Sequence, residues 1–297
     1  MRSILGVLLL LGAVARAPGA APLDVDAISA AAGVPATVTE DNVVRLAWPR
    51  DDLAVEIEGT ALPPGAGLTT VTTLTPTRGA VFLLGEVVLA EDEATVALDA
   101  ALAHGLAVIG LETRMPWARP PILVLHLDGE GDAVALAAAT RAVWDAARQV
   151  RHGTNARTRP PDPTVQQRDG ILDTAALERR LGTPVRLEHA AAIATVPRPT
   201  TIRRTRLGAA HGVGTRLWFS GSPERATVIG EIALAPGEVQ AVVRALRAGG
   251  LHLTLLHGHL VGESPQLLFA GFRGTGTQEA LTTAIRAVLD AQRAVQR

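Results

Sequence analysis

The 297-residue chain has no cysteine and no tyrosine, and with lysine also missing all 28 of its basic residues are arginine. Each absence removes a class of chemistry. No lysine means no Schiff base and no P-loop ammonium. No cysteine means no thiolate nucleophile, thiolate metal centre or disulfide, and no tyrosine means no phenolic acid. The basic residues face 29 acidic ones for a formal net charge of −1, so no electrostatic footprint marks nucleic acid or another polyanion as a partner. What remains is 47% apolar, rich in Ala, Gly, Leu and Val, and long enough for one large or two ordinary domains.

Met1 and Arg2 open a short basic region, and an apolar run follows from Ile4 to Ala15. That run is too short to span a bilayer core of roughly 30 Å as a helix. Small residues come next, Ala17-Pro18-Gly19-Ala20-Ala21, and a cut after Gly19 satisfies the small-x-small rule. Residues 1–19 read as a secretory signal peptide, against the plainer reading of a buried N-terminal helix. Without cysteine there is no lipid anchor, and no transmembrane segment is expected. The expected mature protein is soluble and exported, periplasmic or extracellular, and is stabilised by its core rather than by disulfides.

The rest of the chain is one unit written twice. Gly85-Glu86-Val87-Val88-Leu89-Ala90 recurs as Gly230-Glu231-Ile232-Ala233-Leu234-Ala235, and the 145-residue offset holds without a gap to Arg148 and Arg293, with 23 identities over 64 positions. Shared alanine inflates that count, but not at Gly105/Gly250, Pro120/Pro265 or Gly129/Gly274. Upstream the match is weaker and gapped, as in Leu23-Asp24 with Leu172-Asp173 and Pro49-Arg50 with Pro197-Arg198. A period this long indicates a duplicated domain rather than a solenoid. The expected division is a first repeat at 20–151, a polar, proline-rich linker at 152–170 and a second repeat at 171–297.

Patterning predicts a strand over Val81–Leu89, a helix over Glu91–His104 ended by Gly105, strands over Leu106–Leu111 and Ile122–Leu127, and a helix over Asp132–Val150. The second copy repeats the order: helix from Pro236, strands Leu251–Leu256 and Leu267–Phe272, helix Gln278–Val295. A short helix (Asp24–Ala32, Thr174–Leu181) and several strands precede each β-α-β-β-α core. The expected fold class is α+β: two tandem repeats, each a mainly antiparallel sheet with helices on one face, related by a pseudo-twofold axis.

Candidate chemistry centres on histidine. His257 and His259, two residues apart at a strand end, project from one face, where two neutral imidazoles could reach one cation with Glu263 or Glu238 as an oxygen ligand. The alternative is a pair lining a polar strand end. His126 stands in an apolar strand before Asp128, Glu130 and Asp132. These three carboxylates resemble half of a calcium loop without its distal Glu, or else form a turn whose Asp132 caps the next helix. Glu93 and Glu238, at the third position of their helices, complete half of a capping box, since Ala90 and Ala235 occupy the cap positions. His252 reads as exposed, Trp144 as core, and Arg203-Arg204-Thr205-Arg206 as solvated surface or an anion grip.

The repeated Gly-Glu-(Val/Ile)-x-Leu-x-x-x-Glu start, Leu256-His257-Gly258-His259 with Gly262-Glu263-Ser264-Pro265, and Leu125-His126-Leu127-Asp128-Gly129-Glu130-Gly131-Asp132 resemble the mycobacterial LppY/LpqO family of exported two-repeat proteins. The resemblance implies, in each repeat, a Leu-His-x-His stretch and a further His after Ser-Pro and a strand. His257 and His259 match in the second copy and only His126 in the first; positions 112, 114 and 271 depart from the pattern. The resemblance implies fold and export but no reaction. Two functions remain open: a non-catalytic binding or interaction protein of unknown ligand with degenerate sites, or a metal-binding protein or metal-dependent hydrolase. In the second, His257, His259 and Glu263, joined in one variant by His126 from across the copies, would hold zinc or a similar divalent ion.

Overall fold

A computed structural model describes residues 22–39, 41–153, 172–258 and 260–296. The expected signal peptide (1–19), most of the expected linker and His259 lie outside these residues. The first repeat runs α1 (Val25–Ala32), β1 (Thr37–Val38), β2 (Val44–Pro49), β3 (Val55–Ile57), β4 (Thr60–Leu62), β5 (Thr69–Pro76), β6 (Val81–Ala90), α2 (Ala94–Ala103), β7 (Ala107–Met115), β8 (Ile122–Gly131) and α3 (Ala133–Gly153). The second runs α4 (Thr174–Leu181), β9 (Val185–Glu188), β10 (Ala191–Pro197), β11 (Thr200–Ile202), β12 (Thr205–Leu207), β13 (Gly214–Gly221), β14 (Ala226–Leu234), α5 (Val239–Ala248), β15 (His252–Gly258), β16 (Leu268–Gly276) and α6 (Gln278–Val295).

Each repeat forms a six-stranded antiparallel sheet, ordered β1-β2-β5-β6-β8-β7 in the first and β15-β16-β14-β13-β10-β9 in the second. The fold is α+β in tandem repeats, as the pattern predicts. The gapless 145-residue offset reaches further upstream than identities reveal, because β3, β4 and β5 have their counterparts in β11, β12 and β13 at the same spacing. Identity fades in β3–β4 and β11–β12, short two-stranded hairpins outside the six-stranded sheets that tolerate exchange, whereas Gly129 and Gly274 do not. A Cβ at Gly129 would stand 3.1 Å from the side chains of Leu106 and Leu136, and one at Gly274 would stand 2.6 Å from Leu251 and 3.1 Å from Leu281. Glycine lets the last helix of each repeat settle on its sheet.

Alternation along the strands separates two kinds of core. Leu125, Leu127, Val87 and Leu89 pack beneath α1, α2 and α3, and Ala270, Phe272, Ile232 and Leu234 beneath α4, α5 and α6. The opposite faces also turn inward: Val88, Ile122 and Val124 cluster with Trp218 and Ile229, and Phe82 and Leu84 with Ala233 and Phe269. The two sheets therefore pack face to face with helices outside, which is why β6 and β14 are buried along both faces.

The copies meet reciprocally, as a pseudo-twofold requires. Asp128 of the first pairs with Arg203 of the second at 3.1 Å, and the counterpart of Asp128, Arg273, pairs with the counterpart of Arg203, Glu58, at 2.7 Å. The charges are reversed between the two contacts. Two first copies would set acid against acid and two second copies base against base, so the arrangement favours unlike halves.

Several local expectations change. β8 continues through Gly131, so Asp128 and Glu130 belong to a strand and not to a cation loop, while Asp132 does cap α3 by accepting from Ala135 N at 2.9 Å. The helices expected from Glu91 and Pro236 begin as 3-10 turns, Glu91–Glu93 and Pro236–Glu238. There Glu93 and Glu238 accept from the Ala90 and Ala235 amides at 2.9 and 3.0 Å. Each also holds an arginine from the aligned Pro-Arg pairs: Arg50 on Glu93 at 2.9 Å, Arg198 on Glu238 at 2.7 Å. Strand β7 runs on to Met115, carrying Glu112 and Arg114 with it, and α3 runs to Gly153, past the expected start of the linker.

Asp128→Arg is expected to lower the unfolding free energy by about 3 kcal/mol, since it sets two cations together around a buried position. Adding Arg203→Asp should restore most of the loss in urea denaturation. An additive double variant would remove this contact from what matches the two halves.

Candidate functional site

Midway along the inner sheet faces, where both cores turn apolar, sits a knot of charge. Glu86 on β6 and Glu231 on β14 occupy equivalent positions in the two repeats and point between the sheets. Each takes an arginine from the other copy. Arg216 Nη1 and Nη2 donate to Glu86 Oε2 and Oε1, both at 2.7 Å, and Nη2 also donates to Glu231 Oε2 at 2.8 Å. Arg114 Nε donates to Glu231 Oε1 at 2.9 Å and its Nη2 to Glu86 Oε2 at 3.3 Å. The fork of a guanidinium suits two carboxylates at once. Both arginines also lie beside the Trp218 ring, their Cζ atoms 5.7 and 5.1 Å from its centroid.

Glu112 extends the knot. Its Oε2 is 2.6 Å from His257 Nε2 and its Oε1 is 3.3 Å from His126 Nε2. One carboxylate of the first copy thus stands between an imidazole of each repeat. His257 Nδ1 lies 2.7 Å from the Gly258 carbonyl oxygen, so both of its ring nitrogens face acceptors, the pattern of an imidazolium. Burial alone would lower the His257 pKa, but the hydrogen bond and charge of Glu112 outweigh it and raise it. Burial alone would likewise raise Glu112; hydrogen bonds from both imidazoles and the nearby Arg114 hold it well below the usual carboxylate range. Glu231 is lowered too, burial being outweighed by Arg114 and Arg216. Three carboxylates, Glu86, Glu112 and Glu231, are thus gathered around Arg114 and Arg216, with His257 and His126 beside Glu112.

Of the residues singled out from the sequence, His126 and His257 are brought to this one place, across the copies. Glu263 is elsewhere occupied, accepting from Leu267 N at 3.0 Å, and burial raises its pKa. Glu238 serves Arg198, Gln292 and Gln296. Among the described residues no three His, Asp or Glu side chains are arranged to hold a metal ion. His252 is exposed and Trp144 belongs to the core. Of the arginine run, Arg203 is the residue that reaches across to Asp128. Sequence reasoning passed over Arg216 and the pairing role of Glu86 and Glu231. A lone charge in the middle of an apolar strand, kept in both copies at Glu86 and Glu231, was the available signal.

Two stretches of the chain, residues 26–146 and 175–291, match a family profile described as Domain of Unknown Function (DUF1259). No curated protein matches. Among solved structures, a trimeric bacterial microcompartment shell protein, PduB, is similar at 16% identity over 87% of this chain and 89% of its own, with a TM-score of 0.23. EtuB from Clostridium kluyveri is similar at 14% identity over 88% and 91%, with a TM-score of 0.24. Scores this low give the likenesses no weight for fold or function. Among the described residues no helix is long and apolar enough to cross a membrane.

The sign of the pH dependence follows from the pair. The raised His257 pKa contributes stability that is complete below the ordinary histidine value of about 6.5 and lost as pH rises through the folded value. The depressed Glu112 pKa contributes stability that is present above about 4.3 and lost as pH falls. Urea denaturation should show the native protein losing stability from neutral to alkaline pH, and His257→Gln losing it less steeply. Equal slopes would place the responsible proton elsewhere.

Proposed function

The chain belongs to the family described as Domain of Unknown Function (DUF1259), carried in two copies, and on that premise we propose that it is an exported, non-catalytic binding or interaction protein whose histidine sites have degenerated. The observation that carries this reading is the closure of the central knot. Glu86 and Glu231 are saturated by Arg114 and Arg216, and Glu112 is held by His257 and His126. Groups that a hydrolytic centre would offer to water or substrate are spent on one another. Arg114 and Glu112 stand where the LppY/LpqO pattern places histidines, so one fixed cation and one anion replace two imidazoles in the first copy. Likeness to that family, together with the signal-peptide pattern of residues 1–19 and the lack of cysteine, supports export without a lipid anchor, to the periplasm or beyond.

A second reading rests on a specific observation: His126 and His257 come from different copies to the same carboxylate. With Glu112 they would supply the two imidazoles and one carboxylate that hold zinc and leave a position for water. Elemental analysis decides between the two. Protein purified without chelator and then incubated with zinc is expected to retain under about a tenth of an equivalent after desalting, a binding free energy too small for a structural site. It should also leave p-nitrophenyl acetate and p-nitrophenyl phosphate unhydrolysed. Near-stoichiometric zinc, lost in His126→Ala/His257→Ala, would establish the metal reading instead.

A further inference from the structure

Beside the knot, between the two sheets, lies a cleft of about 130 Å³ that the knot does not use. Its apolar wall is Val71 and Leu84 of the first repeat with Ile193 and Trp218 of the second. Direct contacts between the copies bound it. On one side Gly65 N donates to the His189 carbonyl at 3.0 Å. The approach is so close that a Cβ on Gly65 would lie 1.9 Å from the Glu188 carbonyl oxygen. On another side His211 Nε2 meets Thr75 Oγ1 at 2.8 Å. His211 Nδ1 accepts from Gly208 N at 3.2 Å, so the proton sits on Nε2, and burial lowers the pKa of this neutral ring. At the mouth Arg45 pairs with Glu188 at 2.8 Å.

Two features of the lining point to an occupant. Arg216 is 9% exposed, its Nη atoms are committed to Glu86 and Glu231, and its buried Nε–H has no hydrogen-bond partner. An unpaired buried donor calls for an acceptor. The charge count is the second feature. Among the lining arginines, Arg114 and Arg216 are paired with Glu86 and Glu231 and Arg45 with Glu188, which leaves exposed Arg186 as the lining cation not engaged by a carboxylate of the cleft. The cleft thus combines one inner donor, one outer cation and an apolar wall.

Resting on the reading of the chain as a binding protein, we infer that this cleft binds a small organic monocarboxylate. One carboxylate oxygen accepts from Arg216 Nε, the charge is balanced by Arg186, and the hydrocarbon part lies against Val71, Leu84, Ile193 and Trp218. A cavity of about 150 Å³ accommodates benzene, so the ligand is of that size, and inorganic anions lack the apolar part.

Isothermal titration of the purified chain with benzoate, its uncharged counterpart benzamide, and inorganic phosphate tests this directly. Benzoate is expected to bind saturably, one per chain. Benzamide and phosphate should each bind at least about tenfold more weakly, since each lacks one of the two recognition elements. Arg186→Gln, an exposed change that leaves the core intact, should weaken benzoate severalfold, and Val71→Phe, which narrows the cleft, should abolish it while circular dichroism stays native. Absence of saturable benzoate binding, equal binding of phosphate or benzamide, or unchanged affinity in both variants would overturn the assignment. Stoichiometric zinc or ester turnover, in contrast, would defeat the non-catalytic reading while leaving the benzoate result standing.

Discussion

Burying charge between two sheets is the constraint to which the rest of the molecule answers. Glu86 and Glu231 lie mid-strand on faces that are otherwise apolar, and neither could be taken out of water without a partner. Arg216 and Arg114 provide one, each reaching across to the other copy as well as serving its own side. The flanking apolar clusters, with Trp218 and Ile229 in one and Phe82 and Phe269 in the other, close around a knot in which each buried carboxylate has a cationic or imidazole partner. A half of this protein standing alone would expose the apolar face and leave its glutamate with the arginine of its own copy alone, so each half completes the burial of the other.

The duplication is symmetric in backbone and asymmetric in chemistry. Equivalent positions hold Glu112 and His257, His126 and Gly271, Val71 and Arg216, Asp128 and Arg273. Two of these exchanges place complementary rather than identical groups in the contact: Glu112 meets His257, and Asp128 meets Arg203 where Arg273 meets Glu58. Where the two copies do keep the same ion pair, Arg50–Glu93 and Arg198–Glu238, the pair sits within a single copy and ties a strand end to the first turn of a helix. The ion pair internal to a repeat is kept in both copies; in the contact Glu86 and Glu231 are kept, whereas the residues around them differ between the copies. The cleft follows the same logic, since its walls come from both copies and neither alone would enclose it.

Much was readable in the residues alone. The offset of 145, the order of helices and strands, the caps at Asp132, Glu93 and Glu238, the core position of Trp144 and the antiparallel α+β architecture follow from periodicity, glycine and proline placement and local hydrogen-bonding chemistry, which act over a few residues. The length of β8 was misread because Asp128, Gly129 and Glu130 carry turn-like residues. Pairing of that strand with β6 along its whole length overrode the local preference.

What the sequence could not determine is which side chains meet across the pseudo-axis. His126 and His257 are marked as polar residues in apolar strands, yet nothing local says that Glu112, between them in space, joins the two, or that Arg216 reaches Glu86 from the far side of the chain. Periodicity assigns a residue to a face of its own strand, whereas the partner on the opposing sheet depends on how two whole repeats are laid together. That docking is set by the sum of apolar burial and charge matching over the full interface, a quantity spread over both halves of the chain. The duplicated fold was therefore legible residue by residue, and the site came into being only when the halves closed on each other.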